Sequence, residues 1–201
     1  MALSRSAEFA ASERRALLGV ARDSITCAVR SGRPSPIQPH GMPESLSRHR
    51  ACFVTLYQTG LHLRGCIGSL EAARPLIEEV AETACSAALH DPRFHPVREE
   101  ELHALSIEIS VLSPLTAIDA HSEQRLIDNL QPGIDGLVLD FGDRRATFLP
   151  KLWEQLPEPI DFVEALKQKA GLPADFWSDD VRAYRYLTET FSEPDGIQAS
   201  A

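Results

Sequence analysis

The chain lacks an apolar run of about eighteen residues, the length that a membrane-spanning helix requires. Its opening residues, Met1 to Ser6, also lack the continuous apolar core of a secretion signal. Internal repeats and low-complexity segments are absent as well. We therefore expect a cytoplasmic protein that has no membrane among its partners.

The chain has no Cys-x-x-Cys pair, because its four cysteines stand far apart. They are Cys27, Cys52, Cys66 and Cys85. This spacing argues against a zinc ribbon, a thioredoxin-like redox motif and a disulfide framework. We expect reduced thiols and no bound metal, since His90 and His95 also match no metal-binding signature.

Basic residues are scarce: 20 Lys and Arg stand against 29 Asp and Glu, for a net charge of -9. Nucleic-acid binding depends on a basic surface that displaces counterions, so we expect no nucleic acid among the partners. The glycines match neither the Gly-x-Gly-x-x-Gly spacing nor the P-loop spacing, so a phosphate-binding loop is not indicated. Any cofactor is left unknown.

What the chain does have is the composition of a globular protein, with 43% hydrophobic and 24% charged residues. Hydrophobic periodicity and turn residues predict four helices and six strands. The helices are expected near 12–31, 75–90, 122–130 and 159–170, and the strands near 51–57, 62–67, 107–111, 134–140, 146–149 and 181–191. A proline-rich loop is expected over 32–47. Short turns between strands favour an α+β fold with largely antiparallel sheets and helices on one face.

The most informative segment is Leu63-Arg64-Gly65-Cys66-Ile67-Gly68, which sits on a predicted strand. Strand alternation places Arg64 and Cys66 on one face, with Leu63 and Ile67 on the other. A nearby cation lowers the pKa of a cysteine and activates it, whereas apolar burial makes it inert. Cys66 is therefore either a catalytic thiol or a small core residue, and both interpretations stay open.

Three of the neighbouring residues have two interpretations each. Arg64 either holds an anionic ligand through its fork of donors or bridges to a structural acid such as Glu108. Gly65 and Gly68 either let a ligand approach the backbone or mark a bulge or close packing. His62 shares the predicted face of Cys66, but the spacing prevents a direct pair.

Asp91 and Arg93 follow a predicted helix end, where binding residues often gather. They either line a cleft or form a local ion pair at the helix stop. The candidate substrate-binding residues are Arg64, Gly65, Gly68, Glu108, Asp91 and Arg93, and the candidate catalytic residue is Cys66.

The Leu63 to Gly68 string resembles the signature of the AMMECR family. Other segments resemble that family in the same order: Phe53-Val54-Thr55-Leu56, Asp91-Pro92-Arg93-Phe94, Ile109-Ser110-Val111-Leu112-Ser113, Gly133-Ile134-Asp135-Gly136 and Phe148-Leu149-Pro150-Lys151-Leu152-Trp153. His62 and His95 depart from the family pattern, which argues against a papain-like Cys-His mechanism.

The resemblance implies one α+β domain over residues 12–191, made of two intimately packed subdomains with a functional cleft near the cysteine motif. The expected large subdomain spans about 12–62 plus 120–191, and the small one about 63–119. Residues 1–11 and 192–201 are expected to be flexible ends.

The resemblance also implies partners, since prokaryotic relatives are called AmmeMemoRadiSam system protein A, after a Memo-like protein and a radical S-adenosylmethionine protein. The family brings no established reaction, so whether the chain is an enzyme stays open. One hypothesis is a protein that binds or processes a small anionic metabolite at Arg64 and Cys66. The alternative is a non-catalytic adaptor in which the cysteine is structural.

Overall fold

The computed structural model describes residues 8–37, 42–58 and 62–193. The chain folds as two units, one made of Met1–Leu112 with Glu189–Ala201 and the other of Ser113–Thr188. The predicted boundary near residue 62 is wrong, because the strands on either side of it pair with each other in one sheet. Of the predicted flexible ends, residues 1–7 and 194–201 lie outside the described residues, whereas Phe9 is only 2% exposed.

The helices and strands follow the predicted order closely. The helices are α1 Ala11–Ser31, α2 Glu44–Ser47, α3 Leu76–Leu89, α4 Glu123–Asn129 and α5 Pro159–Lys169, with 3-10 turns at Glu99–Ala104 and Pro150–Glu154. The strands are β1 Cys52–Gln58, β2 His62–Gly68, β3 Ser106–Leu112, β4 Thr116–Ile118, β5 Gly136–Phe141, β6 Arg144–Phe148, β7 Arg182–Tyr186 and β8 Thr188–Ser192. The α+β prediction is confirmed.

The first unit contains a four-stranded sheet in the order β2-β1-β3-β8. Strand β1 is antiparallel to both β2 and β3. Helices α1 and α3 pack against one side of this sheet, where Val54 and Leu56 of β1 are fully buried. Helix α1 buries a stripe that includes Leu17, Ala21 and Ile25, and it ends where Gly32 adopts a φ of 74°. The helices thus cover one face of the sheet, and Thr55 and Tyr57 of β1 lie on the other.

The second unit contains a four-stranded sheet in the order β4-β7-β5-β6. Its pairings β4 with β7, β7 with β5 and β5 with β6 are antiparallel. Helix α5 supplies Phe162, whose ring stacks on Trp153 with centroids 3.8 Å apart. Trp153 is only 4% exposed, so this stacked pair lies in the core of the second unit.

Two predicted segments differ from the structure. The strand expected over 181–191 is divided at Leu187 into β7 and β8, which belong to different sheets. Leu187 exchanges hydrogen bonds with Ser113, and this long-range contact is invisible to local alternation. The proline-rich loop contains the short helix α2. Residues 38–41 of that loop and 59–61 of the predicted hairpin turn lie outside the described residues.

Candidate functional site at the edge strand

The cysteine motif lies on β2, which is an edge strand of its sheet. Cys66 pairs with Thr55 and Leu63 pairs with Tyr57, while the intervening register shift leaves Arg64 without a strand partner. This β-bulge interrupts the alternation on which the sequence prediction relied. Because Thr55 and Tyr57 share a face of β1, Leu63 shares the face of Cys66. The predicted placement of Leu63 on the opposite face, and of His62 on the same face, is wrong.

Arg64 is held by an acidic partner that the sequence did not identify. Its Nε and Nη2 donate to the two carboxylate oxygens of Glu101 at 2.8 and 3.0 Å. Its Nη1 donates to the carbonyl oxygen of His95 at 2.9 Å. Hydrogen bonding from Arg64 holds the pKa of Glu101 below its ordinary value. A structural ion pair was among the predicted roles of Arg64, but the predicted partner Glu108 is wrong.

Asp91 and Arg93 form a clasp on the main chain of Cys66. One carboxylate oxygen of Asp91 accepts from the Cys66 amide at 2.8 Å, and Arg93 Nη2 donates to the Cys66 carbonyl at 3.0 Å. The same guanidinium donates to both Asp91 oxygens, at 2.9 and 2.7 Å. The clasp therefore satisfies both backbone polar groups of Cys66 on an edge strand.

The carboxylate of this clasp is deeply buried, whereas its guanidinium is not. The Asp91 side chain is 2% exposed and that of Arg93 is 53% exposed. The hydrogen bonds from Arg93 hold the pKa of Asp91 well below its usual range. The predicted ion pair after the helix end is present, and it is tied to the motif strand.

Arg93 is also the arginine that contacts Cys66, through its hydrogen bond to the Cys66 carbonyl. The pKa of Arg93 is raised, first by its hydrogen bonds to Asp91 and in addition by the Cys66 side chain. The sequence prediction gave this role to Arg64, whose guanidinium instead engages Glu101. The motif arginine thus forms an ion pair with Glu101, and the cation bonded to Cys66 comes from the segment after α3.

On the other side of Cys66, the hydroxyl of Thr55 donates to the sulfur at 3.3 Å. Thr55 is paired with Cys66 on one flank and with Glu108 on the other, so the three residues form a row across β2, β1 and β3. The Tyr57 hydroxyl donates to Glu108 Oε1 at 3.2 Å. Glu108 therefore lies two strands from the thiol, on the same face of the sheet.

The four cysteines have different environments. Cys52 is fully buried, and burial raises the pKa of its thiol to about 12. Burial also raises the pKa of Cys85. Cys27 and Cys66 are partly exposed. The motif cysteine is thus less buried than Cys52, and Cys27, of the same burial class, offers an internal reference elsewhere in the chain.

Both motif glycines have a packing reason to lack a side chain. A Cβ at Gly65 would lie 2.3 Å from the carbonyl oxygen of Ala87, in the backbone of α3. A Cβ at Gly68 would lie 2.3 Å from the ring of Phe53 on the neighbouring strand. Close packing, one of the two predicted interpretations, accounts for both positions. Their predicted contact with a ligand stays a prediction.

A pocket of about 420 Å³ opens beside the clasp. It is lined by Arg64, Pro92, Arg93, Phe94 and His95. The Arg93 guanidinium carbon lies 5.5 Å from the centre of the Phe94 ring, a cation–π distance. Within the described part of the chain, no cluster of three or more His, Cys, Asp or Glu residues is arranged to hold a metal ion.

Glu101 and Thr55, whose side chains bond to Arg64 and Cys66, were not among the sequence-based candidates. Glu101 belongs to the acidic run Glu99-Glu100-Glu101, and the sequence gives no sign of which of these carboxylates faces the site. Thr55 is an ordinary strand residue in sequence, and only strand pairing reveals its contact with Cys66.

In the described residues, none of the helices has the length and apolar character needed to cross a membrane.

These observations define an α+β protein in which a partly exposed cysteine is clasped through its main chain at the edge of an antiparallel sheet. The AMMECR1 family profile matches residues 18–191, and the chain belongs to this family. The resemblance noted from the motif segments is thereby confirmed.

The relatives are archaeal proteins of similar length. A protein of Methanothermobacter thermautotrophicus is 36% identical over 183 residues, which cover 90% of this chain and 94% of that protein. Protein MJ0810 of Methanocaldococcus jannaschii is 37% identical over 154 residues, or 75% and 77% of the two chains. The crystal structure of the uncharacterized protein PH0010 from Pyrococcus horikoshii has a TM-score of 0.79 at 32% identity, with 88% and 89% of the chains covered.

Proposed function

We propose that this AMMECR1-family protein binds a small anionic metabolite in the pocket beside β2, with Arg93 as the anion-binding group and Cys66 as the reactive thiol. One observation carries the proposal. The guanidinium of Arg93 is bonded to the Cys66 carbonyl and also lines an open pocket. A ligand held by Arg93 would therefore lie next to the cysteine.

The exposure of the two arginines favours Arg93 as the anion-binding group. The Arg64 side chain is 11% exposed, and its Nε, Nη1 and Nη2 all donate within the protein. The Arg93 side chain is 53% exposed, and it forms an ion pair with the buried carboxylate of Asp91. With Nε and Nη2 bonded to Asp91 and Cys66, Arg93 would offer its Nη1 to a carboxylate or phosphate.

The other pocket residues suit a molecule with a flat or apolar part. Phe94 offers a ring beside Arg93, and Pro92 adds a rigid apolar surface. A pocket of about 420 Å³ falls within the usual range for small-molecule sites. The ligand class is thus a small anion that stacks against an aromatic ring while Arg93 binds its charge.

The test compares two alkylating reagents of similar size and different charge. Iodoacetate is an anion and iodoacetamide is neutral, and each joins a carbon to the sulfur and releases iodide. For Cys66 we compare the ratio of the iodoacetate rate to the iodoacetamide rate with the same ratio for free cysteine. The ratio at Cys66 should be about fivefold higher, because one partly screened positive charge near the thiol attracts the anionic reagent. Peptide mass spectrometry measures both rates separately at Cys66 and Cys27.

The matched variants are Arg93→Gln and Arg64→Gln. The preference for iodoacetate should disappear in Arg93→Gln and persist in Arg64→Gln, because the Arg93 side chain is 53% exposed whereas the Arg64 side chain is 11% exposed and bonded within the protein. An equal preference in the wild type and Arg93→Gln would refute Arg93 as the anion-binding group. A Cys66 that reacts only after unfolding would refute the reactive thiol.

We further propose that the protein works with a Memo-like protein and a radical S-adenosylmethionine protein, the partners implied by the family resemblance. One observation favours the adaptor as a second candidate function. Leu63 is 42% exposed on the same face of β2 as Cys66. An exposed apolar residue on an edge strand suits a docking surface better than a catalytic site.

Co-purification at near-physiological salt separates the two functions. For an adaptor, Leu63→Ser should lose the two partners while Cys66→Ser retains them, because the surface rather than the thiol is recognised. For a metabolite-binding protein, partner retention should not depend on Leu63. If the wild-type chain retains neither partner, the multi-protein proposal is wrong.

A further inference from the structure

We infer that Thr55, which lies outside the cysteine motif, is a positioning residue whose hydroxyl holds the Cys66 sulfur and promotes its reactivity. The inference rests on the proposed function, in which Cys66 is the reactive thiol. It adds a residue from a different strand to the site.

The position of Thr55 in the sheet supports this role. It lies in the middle of β1, a strand that is paired on both sides, and its Cα partner on β2 is Cys66. Its chain neighbours Val54 and Leu56 are fully buried beneath the helices, so Thr55 faces the opposite side. Valine would suit such a strand position equally well, so packing alone does not call for a hydroxyl.

The hydrogen bond itself gives the hydroxyl a chemical role. Thr55 Oγ1 donates to Cys66 Sγ at 3.3 Å. A thiolate is an acceptor only, so a donor directed at sulfur stabilises the anion more than the neutral thiol. Meanwhile the clasp from Asp91 and Arg93 holds the Cys66 main chain through its amide and carbonyl. The sulfur is consequently positioned by a hydroxyl on one strand and by a fixed backbone on its own.

Charged groups lie around Cys66 on several elements. They are Asp91 and Arg93 from the segment after α3, Arg64 and Glu101 beside β2, and Glu108 on β3. Replacing Thr55 by valine removes no charge. A difference between the wild type and this variant therefore isolates the hydroxyl.

The experiment measures alkylation of Cys66 by iodoacetamide in the full chain from about pH 6 to pH 10. Thr55→Val should react about three- to tenfold more slowly near neutral pH, the effect of one lost hydrogen bond, and its rate profile should move to higher pH. Thr55→Ser keeps the hydroxyl and should stay within about twofold of the wild type. The pair Thr55→Ala and Thr55→Ser gives the same comparison if the valine variant does not fold.

The outcomes distinguish this inference from the proposed function. If Thr55→Val matches the wild-type rates and pH profile, or if Thr55→Ser slows as much as the variants without a hydroxyl, the role of Thr55 is refuted and the metabolite proposal stands. If wild-type Cys66 does not react in the folded chain, the proposed function fails and the inference fails with it. The iodoacetate preference should be unchanged in Thr55→Val, because Arg93 is still present.

Discussion

The two ends of the cysteine motif each carry an arginine–carboxylate pair, and the pairs are built in opposite ways. In the Arg64–Glu101 pair, the arginine is the more buried partner, at 11% exposure against 21%. In the Arg93–Asp91 pair, the carboxylate is 2% exposed and the arginine 53%. The same two functional groups thus lie beside one pocket with reversed burial.

This difference indicates different roles. A guanidinium that is buried and donates from Nε, Nη1 and Nη2 to the protein holds the structure together. A guanidinium that is bonded to a buried carboxylate and is itself half exposed is available to bind a ligand, as we propose for Arg93. Arginine next to a cysteine in sequence therefore says little about which arginine acts on the thiol. Burial of the partner carboxylate is the more useful guide.

The largest effect should come from Gly65, which lies between the two ends of the motif. Gly65→Ala should destabilise the protein by about 3 kcal/mol or more, because its Cβ would meet the Ala87 carbonyl in the backbone of α3. Urea unfolding measures the change. Gly19→Ala is the control, since nothing lies within 4 Å of a Cβ there, and it should stabilise α1 by about 1 kcal/mol. A tolerated Gly65→Ala would mean that β2 and α3 separate easily.

The next largest effect should come from removing the carboxylate of either pair, Asp91 or Glu101. Asp91→Ala should cost about 2 to 4 kcal/mol of unfolding free energy, because it leaves the Cys66 amide without its acceptor in a buried place. Glu101→Ala should cost about 1 to 2 kcal/mol, since water can reach part of the vacated site. The two variants are compared by urea unfolding under identical conditions. If Glu101→Ala lost more unfolding free energy than Asp91→Ala, then Glu101 rather than Asp91 would be the carboxylate that contributes more to stability.

The smallest effect is a pH dependence. Arg93 lowers the pKa of folded Asp91, while the unfolded chain has the ordinary value of about 4. A lowered pKa stabilises the fold at pH values above the unfolded pKa, and this stabilisation is lost as the pH falls through the folded pKa. The stability gap between the wild type and Asp91→Asn should therefore be full near pH 6 and shrink below about pH 4.

The pH experiment also extends the comparison of the two ends. Hydrogen bonding from Arg64 lowers the pKa of Glu101 as well. The stability difference between the wild type and Glu101→Gln should therefore also shrink as the pH falls. Unfolding in urea at a series of pH values measures both. A gap for Asp91→Asn that stays constant down to pH 2 would show that Asp91 does not titrate with folding.

Much of the fold was predictable because its signals are local. The apolar stripe of Leu17, Ala21 and Ile25 identified α1, and Gly32 identified its end. Alternation in 107–111 identified β3. The split of the last strand at Leu187 was not predictable, because it depends on hydrogen bonds to the distant Ser113.

The sequence indicated where the candidate site lies, but it did not indicate which side chains bond to each other there. The cysteine motif and the Asp91 to Phe94 segment were both identified from sequence, and the structure brings them together at β2. The acidic partner of Arg64 was wrong, because an acidic run does not reveal which carboxylate faces inward. Thr55 was missed because strand pairing, which sequence spacing does not encode, creates its contact.

The sequence alone determined the α+β class, the family and the strand that carries the thiol, since periodicity, turn residues and ordered motif segments are properties of the chain itself. Tertiary structure decided which arginine meets Cys66. A bulge at Arg64 breaks the alternation of β2, and the turn after α3 brings Arg93 to the same strand edge. The bulge and the position of Arg93 both depend on how segments distant in sequence pack together, and that packing determines which side chains become partners.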